Sequence, residues 1–230
     1  MNTLPRLALL VAVGLMAAVL LALAWPRVLA SVRYLPVEHA LDRYYADNEI
    51  PSDRLKVLIR FAEEAIGRQD HYRFHDGLSQ LQYLRGLDVQ TPAGERRAAY
   101  RAAADAAAAS LRQAPAQPAA WLRLATLRWI LHDEPETIVG AWKMSIFTGR
   151  THSSLYAHRV EMGLAQRAAL DDEGAAMLRD QLLLAWRIRP GSLVQVLARR
   201  DSGLRIVGGL LTDTDPVALR EMEDWLERLR

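Results

Sequence analysis

The side chains of this 230-residue chain best suited to chemistry are six histidines and a few adjacent carboxylates. His71 and His75 stand four apart, on one face of a helix, with Asp70 and Asp76 beside them. An i, i+4 histidine pair can supply two zinc ligands. A structural zinc takes four ligands and a catalytic one takes three plus water, and no H-E-x-x-H run occurs, so the pair reads as the polar face of an ordinary helix and no metal is expected. His152 and His158 flank Ser153 and Ser154, placing a base near a nucleophile, but no G-x-S-x-G elbow surrounds them and a helix cap explains the serines. Glu63-Glu64 and Asp171-Asp172-Glu173 are paired carboxylates. A glycosidase needs two across a cleft, whereas neighbours on a helix diverge, and a helix N-terminus attracts acids through its dipole. Gly203, Gly208 and Gly209 match neither phosphate-loop pattern, so no cofactor is expected and no catalytic residue is assigned. The absence of cysteine excludes disulfides, thiolate zinc sites and thiol catalysis.

Arginine is the other conspicuous group: 27 Arg against only Lys56 and Lys143. Between positions 179 and 205, Arg179, Arg187, Arg189, Arg199, Arg200 and Arg205 face only Asp180 and Asp201. Arg187, Arg189, Arg199 and Arg200 form the candidate partner-binding set, suited to an acidic glycan, a phospholipid head group or an acidic protein. The plainer reading is a solvated face. The net charge of +2 is too small for a nucleic-acid footprint. Trp121, Trp129, Trp142 and Trp186 could stack on sugars, but their helical spacing and apolar neighbours read as core.

What must position these groups is a helical chain. Leu (37) and Ala (36) dominate, and β-branched residues are sparse, which predicts an all-α fold. The run from Leu7 to Ala24 carries no charge; its 18 residues cover about 27 Å as a helix, close to the hydrocarbon thickness of a bilayer. Trp25 then stands where an interfacial aromatic belongs. A cleaved signal peptide is the competing reading, with Ala22-Leu23-Ala24 as a loose cleavage site. Against it stand the length of the run, the thin basic region before it and Pro26 just beyond. Arg6 on one side and Arg27 and Arg33 on the other nearly balance, so the expected periplasmic side follows from the layout of a single anchor before a globular domain.

Turn signals recur every 12–20 residues after the anchor. The patterns predict a helix from Pro36 to Asp47, then one from Ser52 as cap to Gly67 with Leu55, Leu58, Ile59, Ala62 and Ile66 on one face. A third opens at Asp70 with Leu78, Leu81, Leu84 and Leu87, and a long Ala-rich helix starts at Thr91-Pro92. Further helices begin at Pro118, after the break 132–135, at Ser153 or Ser154, and after the separator Leu170-Asp171-Asp172, the last reaching Arg189. Pro190-Gly191 ends that last one, two short helices follow, and Asp215-Pro216 opens the final helix. About eleven helices and no strand are expected beyond the anchor.

The junction from Ser110 to Trp129 ends one helix at Pro115, starts another at Pro118 and sets Trp121, Leu124 and Ala125 in a W-x2-L-A pattern. It resembles the join between two tetratricopeptide repeats, where Trp fills the groove between stacked hairpins and the small residue lets helices approach. Ala141-Trp142-Lys143 and Ala185-Trp186-Arg187 echo one another, though the intervals are not a fixed 34 and Arg128 stands where the consensus has an aromatic. An irregular helical bundle uses the same pair geometry. The likeness covers Ala93 to Pro190. It implies a tetratricopeptide-like stack of antiparallel pairs with a concave partner surface. Residues 1–26 are then the transmembrane anchor, 27–92 a membrane-proximal helical segment, and 93–230 the tetratricopeptide-like domain.

One anchor followed by degenerate helical repeats resembles small bacterial envelope proteins, some accessory to exopolysaccharide or O-antigen polymerisation and export. The order of elements from Gly140 to Pro190 is similar to theirs. The resemblance implies a non-catalytic scaffold in the inner membrane, with a polysaccharide polymerase or exporter as partner and no nucleic acid. Alternatives are a glycan-binding or glycan-cleaving helical protein, which would need a carboxylate in a deep cleft, and a helper in cytochrome c maturation or outer-membrane assembly.

Overall fold

The structure is a computed structural model that describes residues 3–46, 48–199, 203–212 and 214–228, with side chains from Leu10 onward except at 203 and 204. Every regular element among them is helical. In chain order these are α1 (Thr3–Tyr45), α2 (Ser52–Arg68), α3 (Tyr72–Leu87), α4 (Ala93–Gln113), α5 (Pro118–Leu131) and α6 (Pro135–Phe147). They continue as α7 (Tyr156–Ala165), α8 (Asp172–Ile188), α9 (Pro190–Ala198), α10 (Gly203–Leu211) and α11 (Pro216–Glu227), with two 3₁₀ turns at Ser153–Leu155 and Arg167–Ala169. The chain divides into two compact units, residues 1–110 and 111–230.

In the first unit α1 is one 43-residue helix that runs through both Pro26 and Pro36. The separate helix expected from Pro36 therefore does not exist, and ten helices follow α1 among the described residues rather than eleven. A proline inside a helix removes one backbone bond and costs about 3 kcal/mol. At Pro36 the packing around it offsets that cost: Ala30, Tyr34, Val37, Ala40 and Leu41 are all buried in a core with α2 and α3. From α2 come Leu55, Leu58, Ile59, Ala62 and Ala65, the face the spacing predicts, with Ile66 at its edge. Arg33 bonds Glu64 at 2.5 Å and lies over the Phe61 ring at 4.2 Å, and Arg73 pairs with Glu38. Ser52 is the first residue of α2, not its cap; the preceding Pro51 makes no side-chain cap bond.

α3 is buried on more than its leucine face. Leu81 is fully buried, but Leu87 is 47% exposed, and Ser79, Gln80 and Gln82 are enclosed. Two glycines make this possible. A β-carbon on Gly77 would overlap the Tyr34 hydroxyl, and one on Gly86 would overlap the Tyr100 ring of α4. The bare backbone lets aromatic rings from α1 and α4 settle against the helix.

The second unit begins with α5 and α6. His132, at φ 62°, closes α5 in the left-handed conformation, and the Asp133 N–H reaches back to the Arg128 carbonyl at 3.0 Å. Trp142 is buried and donates its indole N–H to the Arg159 carbonyl at 2.8 Å. Its ring lies against Gly163, where an added β-carbon would stand 3.0 Å from the indole and 2.6 Å from a Leu178 methyl. Tyr156, Val160, Leu178, Leu182, Leu193 and Leu197 complete the core of α7, α8 and α9. Pro190 sits at the first position of α9, so Pro190-Gly191 opens a helix as well as ending α8. Asp215 caps α11 by accepting from the Ala218 N–H at 3.1 Å, as its sequence predicts.

Two expectations are corrected here. Neither Ser153 nor Ser154 caps α7; both lie in the 3₁₀ turn that leads into it, because the chain tightens before the helix rather than presenting a hydroxyl to it. Trp129, near the C-terminal end of α5, is 45% exposed rather than core.

Candidate functional site

Two exposed apolar surfaces are the candidates. The first is the N-terminal part of α1. From Leu10 through Trp25 its side chains are all exposed, with Leu20, Leu21 and Leu23 each more than half so. Such a band is long and apolar enough to cross a membrane, and none of it is buried within the fold. A core helix of a soluble protein would bury this stretch.

The second is a groove of about 380 Å³ between the end of α6 and α8, lined by Ile146, Phe147, Ala176 and Met177 with Arg150, Glu173 and Asp180 at its rim. Phe147 is 62% exposed. Around it, Lys143 donates to Asp171 at 2.8 Å and to Glu173 at 2.6 Å. Arg150 reaches Asp180 through Nε at 2.9 Å and Nη2 at 2.5 Å. The hydrogen bond from Arg150 holds the Asp180 carboxyl below its ordinary range, and that from Lys143 does the same for Asp171. The rim therefore carries paired charges, with Lys143 and Arg150 held among Asp171, Glu173 and Asp180, around an apolar floor. A flexible thioether and an exposed aromatic are the side chains that adapt to a protein segment.

One buried residue sets this groove. Arg159 of α7 is fully buried. It donates to Ser145 Oγ at 3.0 Å, to the Gly149 carbonyl at 3.0 Å, to Gln181 Oε1 at 3.1 Å and to the Ser145 carbonyl. Its partners are carbonyls at the end of α6 and in the turn beyond, a hydroxyl and an amide, none of them a carboxylate. The guanidinium thus neutralises the negative end of the α6 dipole and satisfies carbonyls the helix cannot. Burial pushes its pKa down to about 10, so it stays charged at neutral pH. Ser145 Oγ passes its own proton to the Pro118 carbonyl at 2.8 Å, tying α5 to the same cluster. The sequence gives little sign of this residue: Arg159 follows His158 in a stretch that reads as ordinary amphipathic helix.

The residues singled out by type and spacing are dispersed. Arg187 stands 3.8 Å from Asp215, Arg189 is exposed at the boundary of α8 and α9, and Arg199 is exposed beyond the far end of α9. A nine-residue helix, about 13 Å long, separates Arg189 from Arg199. Arg200 lies outside the described residues. His71 caps α3 by accepting from the Arg73 N–H at 3.3 Å, and His75 pairs with Asp70 at 2.6 Å. Among the described residues no three His, Asp or Glu side chains converge as metal ligands. Ser154 Oγ and His152 Nδ1 are 3.0 Å apart on an exposed turn. Glu64 is bound by Arg33 while Glu63 faces solvent, and no described carboxylate is buried.

Compared with known proteins, the chain matches no protein-family model, and a search of curated proteins finds no match.

Proposed function

We propose that this chain is a membrane-tethered helical adaptor, in which α1 crosses the inner membrane once and the helical units hold an envelope partner. The observation that carries this reading is α1 itself. Its uncovered apolar part continues without a linker into the segment whose Tyr34, Val37 and Leu41 are built into the core. A rigid join of this kind holds the first unit at a set height above the bilayer. Tethering also raises its concentration near other membrane proteins, so modest affinities suffice. The Phe147 groove, with its apolar floor and paired rim charges, supplies a contact for a protein segment.

Consecutive helices joined by short links, α5 with α6 and α7 with α8, suit a tetratricopeptide-like arrangement of antiparallel pairs. A periplasmic domain, and a role beside an exopolysaccharide or O-antigen polymerase or exporter, are the finer parts of the proposal; they rest on the layout of the chain and on its likeness to envelope accessory proteins.

The test is in-cell crosslinking and pull-down of the intact, detergent-solubilised protein. It is run beside a version lacking residues 1–26 and beside Phe147→Glu. Recovery of a membrane polymerase or exporter, weakened in both variants, supports the adaptor. Recovery of a co-purifying glycan and no protein moves the assignment to glycan binding. Release of the intact chain from membranes by alkaline carbonate overturns the tether.

A further inference from the structure

Besides its apolar span, α1 leaves a second feature uncovered. Gly14, Ala18 and Leu21 within the span, and Trp25, Val28, Val32 and Leu35 beyond it, follow one another by alternating threes and fours. That is the 3.5-residue repeat of a coiled-coil seam, with Ala18, Trp25 and Val32 at one register position and Gly14, Leu21, Val28 and Leu35 at the other. The structure keeps the line open. Trp25 is 62% exposed, Val28 50%, Val32 57% and Leu35 56%, while the opposite face, with Ala30, Tyr34 and Val37, is buried against α2 and α3. The next seam positions, His39 and Asp42, are polar, so the apolar line stops at Leu35.

Lipid does not account for its outer end. Leu35 lies 11 residues past Ala24, about 16 Å along the helix. That is well beyond the roughly 5–8 Å of interface on each side of the hydrocarbon. Val28, Ser31, Val32 and Leu35, together with Arg27, line a shallow concavity on this face, and Arg27 lies outside the heptad line. The spacing of Val28, Ser31, Val32 and Leu35, i, i+3, i+4 and i+7, is that of the four residues forming a hole in knobs-into-holes packing. In a parallel pair such a hole accepts the residue at the height of Val32, which the same sequence supplies.

We propose that this face of α1 is a homodimer seam, in which two copies of the chain pair in parallel from the membrane to Leu35. The proposal rests on α1 crossing the membrane, as read above. A second copy is the occupant that fits. The bilayer orients every copy the same way and at the same depth, so each seam meets its own equivalent in register. A β-branched Val32 beside Leu35 is the pattern that favours two parallel strands. Ser31 on the flank, and Gly14 with Ala18 one turn apart in the span, allow the backbones to approach. The extramembrane side chains offer on the order of 400 Å² per copy, about half of the ~800 Å² each partner gives to a stable soluble interface. The seam continues through the span, and confinement to the membrane supplies the remainder.

The described chain has no cysteine, so single cysteines report the seam directly. The full-length protein is made with cysteine at Val28, Val32 or Leu35 on the seam, and at Leu23 of α1 or the exposed Arg60 of α2 off it. Native membranes are treated with a short bismaleimide. Covalent dimers are expected at the three seam positions, about fivefold above the two others, as a fixed a/d register requires. Adding Val32→Glu to the Leu35→Cys protein should cut the yield severalfold with unchanged helical circular dichroism, because the buried face is untouched. Equal yields at all five positions mean random collision and overturn the seam. Adducts with a different protein at 28, 32 and 35 overturn the second copy as occupant. Retention in carbonate-washed membranes without seam dimers overturns the seam alone, whereas release by carbonate overturns the membrane reading with it.

Discussion

The hydroxyl of Tyr34 occupies the place a β-carbon on Gly77 would take, and from there it donates to the Arg73 carbonyl at 3.1 Å. This contact joins α1 to α3 across the first unit, with the Tyr34 and Phe74 rings 4.7 Å apart beside it. Gly77→Ala adds one methyl to a site with no room, and it should cost about 1–3 kcal/mol. Tyr34→Phe loses only a hydrogen bond and should cost about 0.5–1.5 kcal/mol. Chemical denaturation of the detergent-solubilised protein ranks them, and the reverse order would show that the helices shift apart easily.

α1 serves both the apolar span and the core, so where it is cut decides the outcome. Removing residues 1–26 leaves Ala30, Tyr34, Val37 and Leu41 in place. That version should leave the membrane and still unfold cooperatively. Removing residues 1–45 strips one wall of the first core and should abolish its cooperative transition, with helical circular dichroism falling by more than the α1 residues account for. Identical melting of the two versions would refute a structural role for residues 27–45.

Arg159→Met should be among the most damaging substitutions in the second unit. It leaves the buried Ser145 carbonyl and Gln181, and the part-buried Gly149 carbonyl, without their donor. The expected loss is about 1–3 kcal/mol for each buried acceptor left unsatisfied. Arg159→Lys should recover only part, because one ammonium cannot span acceptors on α6, the following turn and α8. Urea midpoints with unchanged slopes are the measurement, and a methionine variant as stable as the parent would remove Arg159 from its assigned place.

His158 sets a pH dependence. Thr126 Oγ1 gives its proton to the Leu122 carbonyl at 2.9 Å, so at 3.0 Å it accepts from His158 Nε2. Desolvation lowers the His158 pKa below its ordinary value of 6.5. The unfolded chain then binds more protons between the two values, so this contribution is fully present above about pH 6.5 and declines as pH falls toward the folded pKa. The carboxylates held low by Lys143 and Arg150 act in a more acidic window, below the ordinary range of Asp. Stability measured from pH 7.5 to 5 should fall in the parent, and His158→Gln should flatten that fall. An unchanged slope in the variant would assign it elsewhere.

Several elements are legible in the sequence because their signals are local. Asp215 before Pro216 announces a helix start through a short-range hydrogen bond and caps as expected, and the acids at 171–173 stand at a helix N-terminus, where Asp171 accepts from the Gly174 N–H. The α2 face follows from spacing alone. Pro36 misleads because its local cost is real; only the burial of Tyr34 and Val37 against other helices outweighs it. Trp129 and Trp142 look alike in sequence, yet one is exposed and one enclosed, since Trp142 meets Gly163, Leu178 and the Arg159 carbonyl, which are distant in the chain.

What the sequence determined by itself was the helical class, the apolar run that uncharged residues impose on α1, and the caps and prolines that divide the rest. These depend on neighbours within four or five residues. The tertiary structure decided that α1 is continuous and that its two faces have opposite fates. It also decided that Arg159 is buried among the Ser145, Gly149 and Gln181 acceptors, and that α9 stands between Arg189 and Arg199. Each of these turns on which distant residues share space. The cost of a buried guanidinium or an interior proline is set by those partners, not by the residue's place in the chain.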